Sequence, residues 1–128
     1  MTIVVVAAVV ERDGSYLVTR RQEGVHLAGF WEFPGGKVHE RETHASALRR
    51  EMLEELDVDV AVGERILHTA HTYPERSVEL HFYRCALIGT PRPLLGQRME
   101  WVTREALPTL RFPEADAELI QLLAAASR

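Results

Sequence analysis

The chain has 128 residues, 46% hydrophobic and 27% charged, which fits one soluble globular domain able to bury a core without disulfides or a structural metal. A net charge of −4, from 15 Lys+Arg against 19 Asp+Glu, leaves no basic surface for a nucleic-acid polymer but does not exclude a free nucleotide. Cys85 is the single cysteine, so no internal disulfide can form and a reducing, cytoplasmic setting is expected. Within an apolar-alternating run it reads as a small buried residue.

The first ten residues are apolar but short, lack a basic leader and run into the turn Glu11-Arg12-Asp13-Gly14, so they read as a strand rather than a signal peptide. No run approaches membrane-spanning length. Residues 2–11, rich in Val and Ala, fit a strand buried on both faces. Asp13-Gly14 marks a hairpin, and residues 15–20 continue as a second strand. Residues 22–29 read as a loop, and 30–33 as a short aromatic stretch closed by Pro34-Gly35-Gly36. Residues 43–56 form a predicted helix with Thr43 as N-cap, its apolar side set by Ala45, Leu48, Met52 and Leu56.

Residues 58–62 suggest a short strand, and residues 65–72 a hairpin partner for 77–87. In the latter Val78, Leu80 and Phe82 share one face, and His81, Tyr83 and Cys85 the other. Pro91-Arg92-Pro93 is a turn, residues 100–102 a short strand, and residues 115–126 a helix burying Leu119, Ile120, Leu122 and Leu123. This order predicts an α+β domain spanning 1–128, an α/β/α sandwich with a mixed sheet. The six histidines show no metal-ligand spacing and are expected at the surface or lining a pocket.

The feature that carries chemistry is the predicted helix 43–56. Glu51, Glu54 and Glu55 project from one side of it, since positions three and four apart are neighbours. Taken alone, this is either a solvated charged face paired with Arg49 and Arg50 or a set of carboxylate oxygens for a hard divalent cation. Its context favours the second. Gly35-Gly36-Lys37 precedes the helix, Glu42 sits in the entering loop, and Arg50 abuts Glu51, where a guanidinium can fix carboxylates.

Gly36, five residues, Glu42, seven residues, then Arg50-Glu51-Met52-Leu53-Glu54-Glu55-Leu56-Asp57-Val58 resembles the Nudix box. The chain matches it at Gly36, Glu42, Arg50, Glu51, Met52, Glu54, Glu55 and Val58, and departs only where Asp57 replaces the glycine that eases the turn out of the helix. Ala28-Gly29-Phe30-Trp31-Glu32-Phe33-Pro34 ahead of the box, Thr19-Arg20-Arg21, Glu100-Trp101 and Phe112-Pro113-Glu114-Ala115-Asp116 are similar to segments of MutT-type members, so the likeness covers nearly the whole chain.

The resemblance implies the Nudix fold and a Mg²⁺-dependent (or Mn²⁺-dependent) pyrophosphohydrolase that splits a nucleoside triphosphate into monophosphate and diphosphate. The implied metal ligands are Glu51 and Glu55 first, then Glu54, Glu100 and the Gly36 carbonyl. Glu51 or Glu54 is the candidate general base, Arg50 orients the glutamates, and Glu42 anchors the loop–helix junction. Arg21 and Lys37 are candidate phosphate contacts. Asp116 takes the place of the base-reading residue, with Phe82 or Tyr83 as candidate stacking rings. As an acceptor, Asp116 suits a guanine edge or a cytosine amino group. The expected partner is a nucleotide, with neither nucleic-acid polymer nor membrane, and the chain is a monomer or homodimer. Three readings follow: nucleotide-pool sanitation acting on 8-oxo-dGTP, a pyrophosphohydrolase for CTP or a modified dCTP, and a non-catalytic 8-oxoguanine recognition module. The full set of box glutamates argues against the last.

Overall fold

The computed structural model describes residues 1–22, 24 and 28–125. Residues 23 and 25–27 of the expected 22–29 loop, and Ala126 at the end of the expected last helix, lie outside the described residues. In chain order the elements are β1 (Thr2–Val9), β2 (Glu11–Arg12), β3 (Ser15–Arg20), β4 (Trp31–Glu32), β5 (Gly35–Lys37), α1 (His44–Leu56), β6 (Asp59–Thr72), β7 (Ser77–Ile88), β8 (Arg98–Thr103) and α2 (Ala117–Ala125). Two single 3₁₀ turns precede α2 at Leu107–Thr109 and Glu114–Asp116. Among the described residues no helix is long and apolar enough to cross a membrane.

The Val/Ala run of β1 is explained by its place between two cores. Successive strand side chains point to opposite faces. Val6 and Ala8 enter one core with Leu17, while Ala7 and Val9 enter the other with Tyr16 and Val18. Helix α1 closes the first core through Ala47, Leu48, Met52 and Leu56, and α2 the second through Leu119, Ile120 and Leu123. The result is the expected α+β sandwich. Its strands divide into a mixed sheet of order β5-β1-β7-β6, with β1 parallel to β7, and an antiparallel group in which β3 pairs β2, β4 and β8.

Several local expectations change. The stretches 58–62 and 65–72 are one long edge strand, β6, interrupted by register irregularities between Val62 and Leu67. Gly35-Gly36-Lys37 forms strand β5 against β1, pairing Val6 with Gly36 and Ala7 with Gly35. A Cβ on Gly35 would run into the Val6 carbonyl, so close backbone approach dictates glycine there. On α1 the buried stripe contains Ala47, not Ala45, which is exposed. The stripe advances in the steps 47/48, 51/52 and 55/56, and Ala45 lies outside it. Leu122 is likewise turned to solvent.

Both ends of α1 are fixed. The Thr43 hydroxyl accepts from the Ser46 amide, and the Ser46 hydroxyl accepts from the Thr43 amide, each at 3.0 Å, forming a reciprocal cap. At the other end Asp57 adopts the left-handed conformation, φ 53° and ψ 40°, and donates its amide to the Leu53 carbonyl at 3.1 Å. The last carbonyls are taken up by the connection after β7: Arg92 N–H donates to Leu56, and Leu94 N–H and the Gln97 amide donate to Glu55. The Asp57 carboxylate also pairs with Arg92 at 2.7 Å.

Asp57 thus occupies a backbone seat that favours glycine, at modest cost because Asp tolerates left-handed geometry. Asp57→Ala is expected to lower stability by about 1–2 kcal/mol relative to Asp57→Gly, although both lose the Arg92 pair. Urea unfolding midpoints of the two variants measure this; equal midpoints would show that the helix exit carries no left-handed penalty.

Candidate active site

The Arg50 side chain is where the acidic residues meet. Its Nε and Nη2 donate to the two Glu42 oxygens at 2.6 and 3.0 Å. Nη1 donates to Glu51 at 2.9 Å and to Glu54 at 3.3 Å, and Nη2 also reaches the Lys37 carbonyl at 3.0 Å. Such a fork suits a planar guanidinium with five donors and no lysine could reproduce it. It ties α1 to β5 and to the loop carrying Glu42. Glu42 in turn accepts the His39 amide at 2.8 Å. The Arg50 bonds, reinforced by that amide, hold the Glu42 pKa down to about 2.

The glutamates of α1 do not share one environment. Glu51 and Glu55 lie on the flank of the buried stripe, so Glu51 keeps 13% of its side-chain surface, while Glu54 keeps 59%. Burial pushes the Glu55 pKa well above the ordinary carboxylate range. Contact with the Glu51 carboxylate and the charge of Glu32 push it the same way, partly offset by an amide bond from Gly35. Two carboxyl groups buried against each other hold a proton between them unless a cation replaces it. The backbone of Gly36 lies so close that a Cβ there would collide with the Glu51 carboxylate. An oxygen-rich donor set, a carboxylate pair needing positive charge and a glycine bared to it fit a hard divalent cation.

Of the candidates outside the helix, Lys37 is exposed on β5 beside Gly36, and Glu100 on β8 faces Val18 of β3 and pairs with Arg98 at 3.0 Å. Arg21 forms an ion pair with Glu32 at 3.1 Å. This pair stands between two cavities. A smaller one, about 180 Å³, is lined by both residues with Thr19, Glu55 and Gln97. The other, about 250 Å³, runs from Gly36 and Lys37 past the same pair to Phe82 and Asp116. Glu32 was not among the residues expected from sequence. Its signal was available, because it lies inside the Trp31-Glu32-Phe33-Pro34 segment and faces Thr19 across the β3–β4 pair. Burial raises its pKa against the opposing effect of Arg21.

Asp116 belongs to the 3₁₀ turn before α2 and is only 6% exposed. Burial, with Glu32 adding negative charge nearby, pushes its pKa up to about 7. Phe82 is 1% exposed, packed edge-on against Phe33, which stacks on Phe112. Its ring forms the floor of the cavity. Tyr83 points to the opposite face of β7, toward α1, where its hydroxyl bonds His44 Nδ1 at 2.7 Å, away from the cavity that Phe82 lines.

A family model for the NUDIX domain matches residues 5–122. The chain is 36% identical over 116 residues to a CTP pyrophosphohydrolase of Escherichia coli, covering 90% of this chain and 84% of that one. It is 38% identical over 124 residues to an 8-oxo-dGTP diphosphatase of Haemophilus influenzae, covering 94% and 91%. In structure it superposes on the Escherichia coli ORF135 protein with a TM-score of 0.87 at 35% identity, covering 98% of this chain and 92% of that one. It also superposes on a MutT Nudix hydrolase from methicillin-resistant Staphylococcus aureus with a TM-score of 0.80 at 34% identity, covering 99% and 98%. The chain belongs to the NUDIX family. Within it, this is a hydrolase of nucleotide diphosphate bonds, a class that works with a divalent metal.

Asp116 gives the site a pH signature. Its folded pKa, about 7, lies above the unfolded 3.8, so the native state binds the extra proton. Stability from this group is therefore full below about pH 4 and is lost as pH rises toward 7, at about 1.4 kcal/mol per pH unit as an upper bound. Asp116→Asn, which cannot ionise, is expected to melt several degrees above wild type near pH 8 and to lose most of that advantage near pH 4. A melting difference independent of pH would rule out a buried, titrating Asp116.

Proposed function

We propose that this protein is a Mg²⁺-dependent nucleoside triphosphate pyrophosphohydrolase of nucleotide-pool sanitation, producing monophosphate and diphosphate. The observation that carries the reading is the Glu51–Glu55 carboxylate pair against bare Gly36: Gly36 opens the cavity that runs past Arg21 and Glu32 to Asp116, and Glu55 lines the smaller cavity on the other side of that ion pair. Glu51, Glu55 and the Gly36 carbonyl would hold the cation, with Glu54 and Glu100 as further donors. Bound there, Mg²⁺ would neutralise phosphate oxygens and acidify an attacking water.

The remaining work falls to the chain's own groups. Arg21 and Lys37, at the cavity wall, meet the phosphates. The water oxygen bonds to phosphorus, the P–O bond bridging the α- and β-phosphates breaks, monophosphate and diphosphate part, and a carboxylate takes the water's proton. Glu54 is the better-placed base of the two candidates, because it is open to solvent while Arg50 steers it. Arg50 and Glu42 act by positioning. The dry aromatic floor of Phe82 and Phe33 receives the base, and Asp116 reads its edge.

Asp116 also supports a second substrate reading. Ionised, it accepts from the amino group of cytosine or from the N1–H and N2–H₂ edge of a guanine; protonated, it can donate. The similarity to both a CTP pyrophosphohydrolase and 8-oxo-dGTP diphosphatases keeps CTP or a modified dCTP beside 8-oxo-dGTP.

Comparison of kcat/KM with Mg²⁺ for 8-oxo-dGTP, dGTP, CTP, dCTP and 5-methyl-dCTP ranks the two. Preference for 8-oxo-dGTP supports pool sanitation, preference for a cytosine nucleotide supports the second reading, and no turnover of any triphosphate defeats both. Glu51→Gln and Glu54→Gln are each expected to lower kcat by about 10²–10⁴-fold with the fold retained. Wild-type rates in both would remove the α1 glutamates from the reaction.

A further inference from the structure

Strands β6 and β7 bring together a second set of metal donors remote in sequence from the box. Their register places His68 directly opposite His81 and Ala70 opposite Glu79. Directly opposed residues on antiparallel strands stand about 4.5–5.5 Å apart at Cβ, close enough for two imidazoles to share one ion. Glu79 lies two residues before His81 and so on the same face. The donor atoms of His68, Glu79 and His81 all lie within 4.8 Å of one another. Glu79 Oε1 is 3.2 Å from His81 Nε2 and 4.0 Å from His68 Nε2. Metal bonds of about 2.0–2.1 Å in tetrahedral geometry put donors about 3.3 Å apart, so the set is already near coordination distance.

The surroundings support ligation. His81 is buried, flanked by the His68 ring stacked at 4.3 Å and the His44 ring at 4.5 Å. Burial, opposed by the Glu79 bond and aided by His44, His68 and Arg65, lowers its pKa, which keeps the ring neutral. His68 is exposed, so its ring can turn about χ2 to aim Nε2 at a shared ion.

We propose that His68, Glu79 and His81 form a second, non-catalytic site for a borderline transition-metal cation of the Zn²⁺ class. Two imidazoles and one carboxylate suit Zn²⁺, Ni²⁺ or Co²⁺ and not Mg²⁺, which prefers oxygen ligands. The site is separate from the box: His81 faces Val6, which faces Gly36 one strand further on, about 10 Å across the sheet at the usual strand spacing. The ion would clip the edge strand β6 to β7.

Arg65 is its competitor. The Arg65 guanidinium can only donate, so its 3.2 Å contact makes His81 Nδ1 the acceptor and leaves the ring proton on Nε2, directed at Glu79. A metal at Nε2 moves that proton to Nδ1, against the guanidinium. Gln in place of Arg65 supplies a carbonyl to accept it, the usual outer partner of a metal-bound imidazole.

The test is Zn²⁺ calorimetry and Co²⁺ visible spectroscopy on the whole protein in excess Mg²⁺. One equivalent should bind with the absorption of imidazole-ligated Co²⁺ and raise the melting temperature. Glu51→Gln/Glu55→Gln should leave this binding in place, His68→Ala should weaken it at least tenfold with Mg²⁺-supported hydrolysis unchanged, and Arg65→Gln should tighten it several-fold. No Mg²⁺-resistant binding, binding that His68→Ala leaves intact, or binding lost with the box glutamates overturns the proposal.

Discussion

The guanidinium of Arg50 is the interaction on which the candidate site depends. It makes five hydrogen bonds to Glu42, Glu51, Glu54 and the Lys37 carbonyl, and so locks α1, β5 and the entering loop into one unit. A helix carrying Glu51, Glu54 and Glu55 repels itself. The fork offsets that repulsion on one side of the helix, while on the other Glu55 faces the negative groups Glu51 and Glu32, relieved in part by the Gly35 amide. The fold therefore leaves a concentration of negative charge unmet at one place, beside Gly36.

The second organising element is the Arg21–Glu32 pair. It separates the cavity beside Glu55 from the one ending at Asp116, and Glu32 raises the pKa of both carboxyl groups that flank it. Phosphate chemistry and base reading are thus electrically linked through one glutamate. A change in charge at Glu32 acts on both.

Local signals were legible in the sequence and long-range ones were not. Thr43 as cap, the Leu48–Met52–Leu56 stripe and the doubly buried β1 depend on neighbours within a few residues, and the structure reproduces them. Ala45 falls outside the stripe although its spacing fits, because three-residue spacing alone does not fix the phase of a helix near its first turn. In sequence Gly63-Glu64 interrupts the apolar pattern and splits β6 in two, whereas pairing with β7 carries the strand through. In the site, the box residues stand at fixed spacing on one helix and its approach, so their proximity was predictable. The graded burial of Glu51, Glu54 and Glu55 was not, since it depends on how β5, β1 and β6 pack on the helix. His68 and His81 lie thirteen positions apart, and only strand register brings them face to face.

That register has a history written in the irregularities of β6. Between Val62 and Leu67 the edge strand gains two residues on its partner: Val62 faces Cys85 before them, and His68 faces His81 after them. An even number preserves which side chains face α1, so the core tolerates the insertion. An uninterrupted ladder would set Ile66 opposite His81 and give the sheet a mixed aliphatic–imidazole pair in place of two facing imidazoles. The bulged segment carries Glu64 and Arg65 outward at the sheet's margin, where an unbroken fourteen-residue strand would offer a long template for another chain to zip onto. One small insertion thereby blunts an adhesive edge and sets two imidazoles face to face where an isoleucine would otherwise oppose one.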